Sequence, residues 1–123
     1  STMNPHHNPR GPMLDMREYA QRVVELTTGQ KPERFGPGGD WRLQASLERM
    51  LELIGEAANR VPKEVQARFP EIPRAAIVGM RNVLIHGYDS VDPSKLWHAA
   101  TVGVPELLKH LERAIAQMPP FEP

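Results

Sequence analysis

The feature that most constrains the fold is an apolar stripe in the middle of the chain. Leu43, Leu47, Met50, Ile54, Ala57 and Val61 alternate spacings of four and three without a break. That series puts all six side chains on one face of an α-helix, whereas a strand would scatter them over both faces. Asp40 is a good N-cap residue, and Pro62 cannot continue a helix, so the spacing predicts a helix from about 41 to 60. Such a helix is stable only when its apolar face is covered, so the rest of the chain has to supply matching faces.

It does so with the same period. Met13, Met16, Ala20, Val23 and Thr27 predict a helix ending near Gly29. A glycine–proline connector, KPERFGPGGD, follows; it lacks the ending of a phosphate-cradling loop and no strand precedes it. PKEVQARFP predicts one short helix between Pro62 and Pro70. Ile72, Ala76, Ile77, Met80, Val83, Leu84 and Ile85 supply a further helix opened by Pro73 and stopping near Gly87. Asp92-Pro93 then caps a long last helix through Leu96, Ala100, Val104, Leu107, Leu111, Ile115 and Met118, kinked at Pro105. No segment alternates with a period of two. The expected fold class is all-α: an up-and-down four-helix bundle with an additional short helix. Residues 1–12 read as a disordered leader, partly a tag remnant, 13–118 as the domain and 119–123 as a tail. His6-His7 in a mobile leader cannot fix a metal's coordination geometry.

Composition removes several functions. The chain has no cysteine, which excludes disulfides, thiolate metal sites and a cysteine nucleophile. Fifteen basic residues balance fifteen acidic ones, so a bulk electrostatic nucleic-acid binder is disfavoured. Any RNA contact has to come from a few placed side chains or from a cleft between two copies. No apolar run approaches the roughly 20 residues that cross a bilayer, and a cytoplasmic location is expected.

The residues that carry chemistry are Arg81-Asn82-Val83-Leu84-Ile85-His86-Gly87-Tyr88. Asn82 and His86 are four apart on one helical face, where the amide can orient the imidazole. Arg81, Ile85 and Tyr88 share another face. Arg81 and His86 lie about 140° apart around the axis, but a long guanidinium can fold over the helix end. Imidazole titrates near neutrality and suits proton transfer. Guanidinium presents a planar fork matched to phosphate oxygens. The bland alternative is a salt bridge, a capping group and a core-edge ring.

This Arg-x4-His-x-Tyr pattern, with asparagine after the arginine, resembles the signature of HEPN-domain proteins (higher eukaryotes and prokaryotes nucleotide-binding), most closely the HepT toxin branch. LELIGEAANRV at 51–61, FPEIPRAAIVGMRNVLIHGYDSVD at 69–92 and a helix with a VPELL turn are similar to that branch in order and spacing. The similarity covers nearly everything from 13 to 118; it departs at Arg74, where the branch has tryptophan, and in the N-terminal extension. The resemblance implies a metal-independent endoribonuclease without cofactors, the toxin of a type VII toxin–antitoxin pair. Its expected partners are an RNA substrate and the MntA nucleotidyltransferase antitoxin, which disarms the toxin by AMPylation of the motif tyrosine. No DNA or membrane partner is expected. Carried over, Arg81 and His86 are the catalytic pair, Asn82 is their polar helper and Tyr88 is the modification site. A homodimer with facing motif helices is also implied.

Glu56, near the edge of the stripe, is a possible supporting carboxylate or simply a solvated one. His98 and His110 are about 18 Å apart along a helix, too far to share a metal. Trp41 and Trp97 read as packing or interface anchors. Two other readings use the same residues: a non-catalytic HEPN nucleotide- or RNA-binding module supporting a nucleotidyltransferase, and a purely structural dimeric bundle. The intact Arg–Asn–His–Tyr set favours the nuclease.

Overall fold

The computed structural model describes residues 8–87 and 91–120. Among them every regular element is helical. Helix α1 spans Gly11–Thr27, α2 Trp41–Asn59, α3 Lys63–Arg68, α4 Arg74–His86, α5 Pro93–His98 and α6 Val104–Gln117. A 3-10 turn, Pro32–Phe35, joins α1 to α2, and a π-helical segment, Ala99–Gly103, joins α5 to α6. The four rods are α1, α2, α4 and the continuous α5–π–α6, with α3 as the short extra helix.

The caps expected from sequence form. Asp40 accepts from the Arg42 N–H at 3.0 Å, and Asp92 accepts from the Ser94 N–H at 2.9 Å. Each carboxyl is held below its ordinary range, chiefly by the side-chain hydrogen bond from Arg42 in one case and Ser94 in the other. After α1, Gly29 takes φ +74°, a backbone state other residues rarely adopt.

Pro105 does not kink a continuous α-helix, as sequence alone suggests. The chain widens one turn before it, and Val104 N–H donates to Ala99 O, five residues back. Proline lacks an N–H and crowds the preceding turn; a π turn absorbs both defects without breaking the rod.

Side-chain bonds fix the direction of each rod. Arg60 Nη2 reaches Asp15 Oδ2 at 3.1 Å, so the end of α2 lies beside the start of α1. Arg74 Nε donates to Ala58 O at 3.1 Å, so the start of α4 lies beside the end of α2. Arg68 Nη2 donates to Gln117 O at 2.7 Å and ties α3 to the end of α6. The bundle therefore runs up and down. One end, the tip, gathers the end of α1, the 3-10 turn, the start of α2, the end of α4 and the start of α5. Phe35 packs on Trp97 there, with centroids 5.1 Å apart.

The expected stripes of α1, α2 and α6 form the core: Met16, Val23, Leu47, Ile54, Leu107 and Leu111 are all buried. Helix α4 is different. Only Leu84 of its thirteen residues is buried, while Val83 and Ile85 are 47% and 40% exposed. It packs on α2 and leaves an apolar groove of about 210 Å³ against the π segment and α6, lined by Ile77, Met80, Val104 and Leu107 among others.

Candidate active site

Arg81, Asn82 and His86 lie on the last turns of α4, at the tip. Their position depends on Gly55 of α2. A Cβ on residue 55 would overlap the Cβ of Arg81 and come within 3.2 Å of the Ile77 carbonyl oxygen. Glycine in a helix interior costs about 1 kcal/mol relative to alanine, so its presence there reflects the close approach of α4. That contact seats the base of the Arg81 side chain against α2. The sequence reading gave Gly55 no role of its own; a glycine inside an otherwise unbroken stripe was the available signal.

The head of Arg81 is held on one edge only. Its Nη1 donates to Asn82 Oδ1 at 3.0 Å. Its Nε–H is buried and has no acceptor among the described residues. A buried donor left in that state costs roughly 1–3 kcal/mol, a cost the packing of α4 on α2 has to offset. Asn82 thus orients the guanidinium, and no hydrogen bond links its amide to the His86 imidazole. His86 is the last residue of α4, exposed and five residues, about 7.5 Å of helical rise, beyond the guanidinium's root. Gly87 N–H closes the helix on Val83 O at 2.7 Å. Tyr88 lies outside the described residues.

Glu56 is engaged elsewhere. Its Oε1 is 3.7 Å from Arg49 Nη1, which also meets Glu52 Oε2 at 3.1 Å. Glu48, unremarked in the sequence, is buried two turns before Gly55 on the same helical line. Burial pushes its carboxyl above the ordinary range; a hydrogen bond from Gln44 opposes that, and the Glu52 charge adds to it. His98 is exposed and His110 half-buried on the last rod. Among the described residues no three His, Asp or Glu side chains gather as a metal-holding group. No described helix is long and apolar enough to cross a membrane.

The end of α4 therefore carries an oriented guanidinium and an exposed imidazole, groups that suit an anionic ligand such as a phosphodiester. A family model described as Ribonuclease HepT-like matches residues 16–114, which takes in all four rods and this tip. The chain belongs to the HepT-like family. This HepT-like chain is 33% identical over 103 residues to "Putative RNase MJ1216" of Methanocaldococcus jannaschii, with 84% of each chain covered. It is 36% identical over 107 residues to "Putative RNase TTE0752" of Caldanaerobacter subterraneus, covering 87% of this chain and 94% of that one. It is 36% identical over 74 residues to "Probable ribonuclease HepT" of Thermococcus cleftensis, covering 60% and 67% respectively. No solved structure matches the chain. In HepT-like terms, the helix holding Gly55 and the helix holding Arg81, Asn82 and His86 both fall within the matched region.

Proposed function

We propose that this HepT-like protein is an endoribonuclease acting as the toxin of a toxin–antitoxin pair, with Arg81 and His86 as its catalytic residues and Asn82 as the positioning residue for Arg81. The observation that carries the reading is the Arg81 guanidinium, held at Nη1 by Asn82, on the same helix end as the exposed His86 imidazole. Its support from outside the structure is the family, whose relatives carry ribonuclease names.

RNA brings its own nucleophile. His86 accepts the proton of the 2′-hydroxyl as that oxygen attacks the adjacent phosphorus. The bond from phosphorus to the 5′-oxygen breaks, and the proton is returned to that leaving oxygen. Arg81 neutralises the extra negative charge on the pentacoordinate phosphorus, where a preorganised donor does most for the rate. The products are a 2′,3′-cyclic phosphate and a 5′-hydroxyl. Every group the step requires is a side chain of this protein or an atom of the RNA, so the chemistry runs without a metal.

Two copies form the working unit in this proposal. Helix α4 turns Val83 and Ile85 outward. Covering that surface with a second copy would bring two guanidinia and two imidazoles to one cleft, concentrating a positive charge that the balanced composition hides. An MntA-type nucleotidyltransferase would silence the site by joining AMP to Tyr88: the phenolic oxygen attacks the α-phosphorus of ATP, pyrophosphate leaves, and the phenolic proton passes to solvent. The added phosphate, two residues from His86, would occupy Arg81 as substrate does.

The test is RNA cleavage by purified protein in EDTA. Arg81→Ala and His86→Ala should each lose on the order of 100-fold or more in rate while keeping the helical circular dichroism of the wild type. His86→Ala cutting RNA at the wild-type rate would refute the assignment. For Tyr88, intact mass after incubation with the antitoxin and ATP should rise in the wild type and stay constant in Tyr88→Phe.

A further inference from the structure

Trp41 is 75% exposed, an unusual state for the largest apolar side chain. The reason lies in the helix geometry. Residues 41, 48 and 55 are seven apart, so they fall within about 20° of one line along α2. That line faces α4: Gly55 touches Arg81, and Glu48, further towards the tip, is buried. Helix α4 runs antiparallel to α2 and ends at His86. Counted from the Gly55–Arg81 contact, His86 is level with residue 50, so Trp41 stands roughly 14 Å further along the axis. The indole therefore stands beyond the end of α4, on the line of α2 that meets Arg81.

Its surroundings are polar and built. Trp41 borders an open hollow of about 680 Å³ lined by Glu33, Arg34, Gly38, Gly39, Asp40 and Arg42. Arg42 Nε and Arg34 Nη2 meet the Asp40 carboxylate at 3.1 Å and 3.7 Å, so two guanidinia share one counter-charge, with the exposed Glu33 on the same rim. The loop under them is tight. Gly38 has φ +84°, and a Cβ on Gly39 would collide with the Glu33 and Arg34 carbonyls. The other tryptophan, Trp97, packs on Phe35 and is not available.

A solvent-facing indole that borders the same hollow as two guanidinia, roughly 14 Å along the axis from His86 and so a few nucleotides away on an extended strand, is a surface for an unpaired base. We infer that Trp41 is a stacking platform for a base of single-stranded RNA a few nucleotides from the scissile phosphate, with Arg34 and Arg42 bordering the strand's backbone. The inference rests on the ribonuclease reading of α4 and gives that enzyme a preference for unpaired RNA. Because the rim charges nearly balance, stacking supplies the binding, and the salt dependence is shallow.

The probe is an unpaired 2′-O-methyl oligonucleotide, which has no free 2′-hydroxyl and is not cut. Titrated into Trp97→Phe, whose only indole is Trp41, it should quench the fluorescence. Trp41→Ala should bind it on the order of ten- to a hundred-fold more weakly, and Trp41→Phe should recover most of that loss. In cleavage assays Trp41→Ala should raise KM and leave kcat near wild type. Equal affinity and KM in wild type and Trp41→Ala overturns the inference and leaves the nuclease reading standing. So does a Trp41→Ala protein that changes its sedimenting mass in RNA-free buffer yet binds the oligonucleotide normally, which makes Trp41 a protein contact. Wild type that binds and is quenched but cuts no RNA sinks the nuclease reading and leaves the platform in place.

Discussion

Gly55→Ala and Gly79→Ala make the same chemical change in two helix interiors, and the structure gives them opposite signs. Glycine to alanine in a helix ordinarily stabilises by about 1 kcal/mol. At Gly79 in α4 the new methyl meets nothing within 4 Å, so that gain should appear nearly in full in dilute solution. At Gly55 the methyl overlaps the Arg81 Cβ and crowds the Ile77 carbonyl oxygen at 3.2 Å. Both obstacles belong to or hang directly from the α4 backbone, so rotating a side chain cannot relieve them. Overpacking of this kind costs about 1–3 kcal/mol; from the upper end of that range, less the propensity gain, Gly55→Ala should lose about 2 kcal/mol. For a chain of 123 residues that corresponds to a fall of roughly 8 °C in Tm. Thermal unfolding followed by circular dichroism reads both variants. Since α4 must move to admit the methyl, RNA cleavage should fall on the order of 100-fold with it. A Gly55→Ala protein as stable as wild type would refute the α2–α4 contact on which the placement of Arg81 depends.

Asn82→Ala removes the acceptor that aligns Arg81 and should slow single-turnover cleavage about ten-fold without loss of fold, since a hydrogen bond to a charged group is worth roughly 1.5–3 kcal/mol; an unchanged rate contradicts that role. Burial raises the Glu48 carboxyl, so the native chain holds that proton more tightly than the unfolded chain does. Its stabilising contribution is complete below the ordinary carboxyl range and is lost as pH rises through the raised folded value. Glu48→Gln should therefore raise the urea midpoint at neutral pH, by an amount that shrinks towards about pH 4; a constant difference across that window would show that the charge is not the cause. Val83→Asp, at a 47% exposed position, should cost the single chain less than about 0.5 kcal/mol yet convert the proposed two-copy unit to monomer in sedimentation experiments. A wild type that sediments as a monomer contradicts the two-copy unit.

Three of the four rods were legible because each hides one face within the chain. Met13, Met16, Ala20, Val23 and Thr27 follow the helical period, and all are buried. Asp40 and Asp92 were legible as caps because their chemistry is local. The exposure of α4 was not legible. Val83 and Ile85 have the same hydropathy whether a neighbour in the same chain covers them or not. The π turn was hidden for a similar reason: Pro105 announces a defect, and only the packing of both flanking helices decides between a kink and a widened turn. At the site, sequence gathered Arg81, Asn82 and His86 on one helix end. It misjudged the partner of Asn82, because i to i+4 spacing permits the contact with His86 while the guanidinium next door competes for the same oxygen. Trp97 packs on Phe35, while Trp41 is exposed because α4 stops short of it, a difference that residue type alone does not reveal.

The most direct test of the central claim, that a guanidinium and an imidazole cleave RNA through its own hydroxyl, is the chemistry of the severed ends. A defined unpaired RNA, cut by the wild-type protein in EDTA and resolved by mass spectrometry, should yield fragments ending in 2′,3′-cyclic phosphate with 5′-hydroxyl partners. A single 2′-O-methyl group at the cleaved position should abolish that cut alone. Fragments bearing 5′-phosphate, or cleavage that survives the methyl group, would contradict the account.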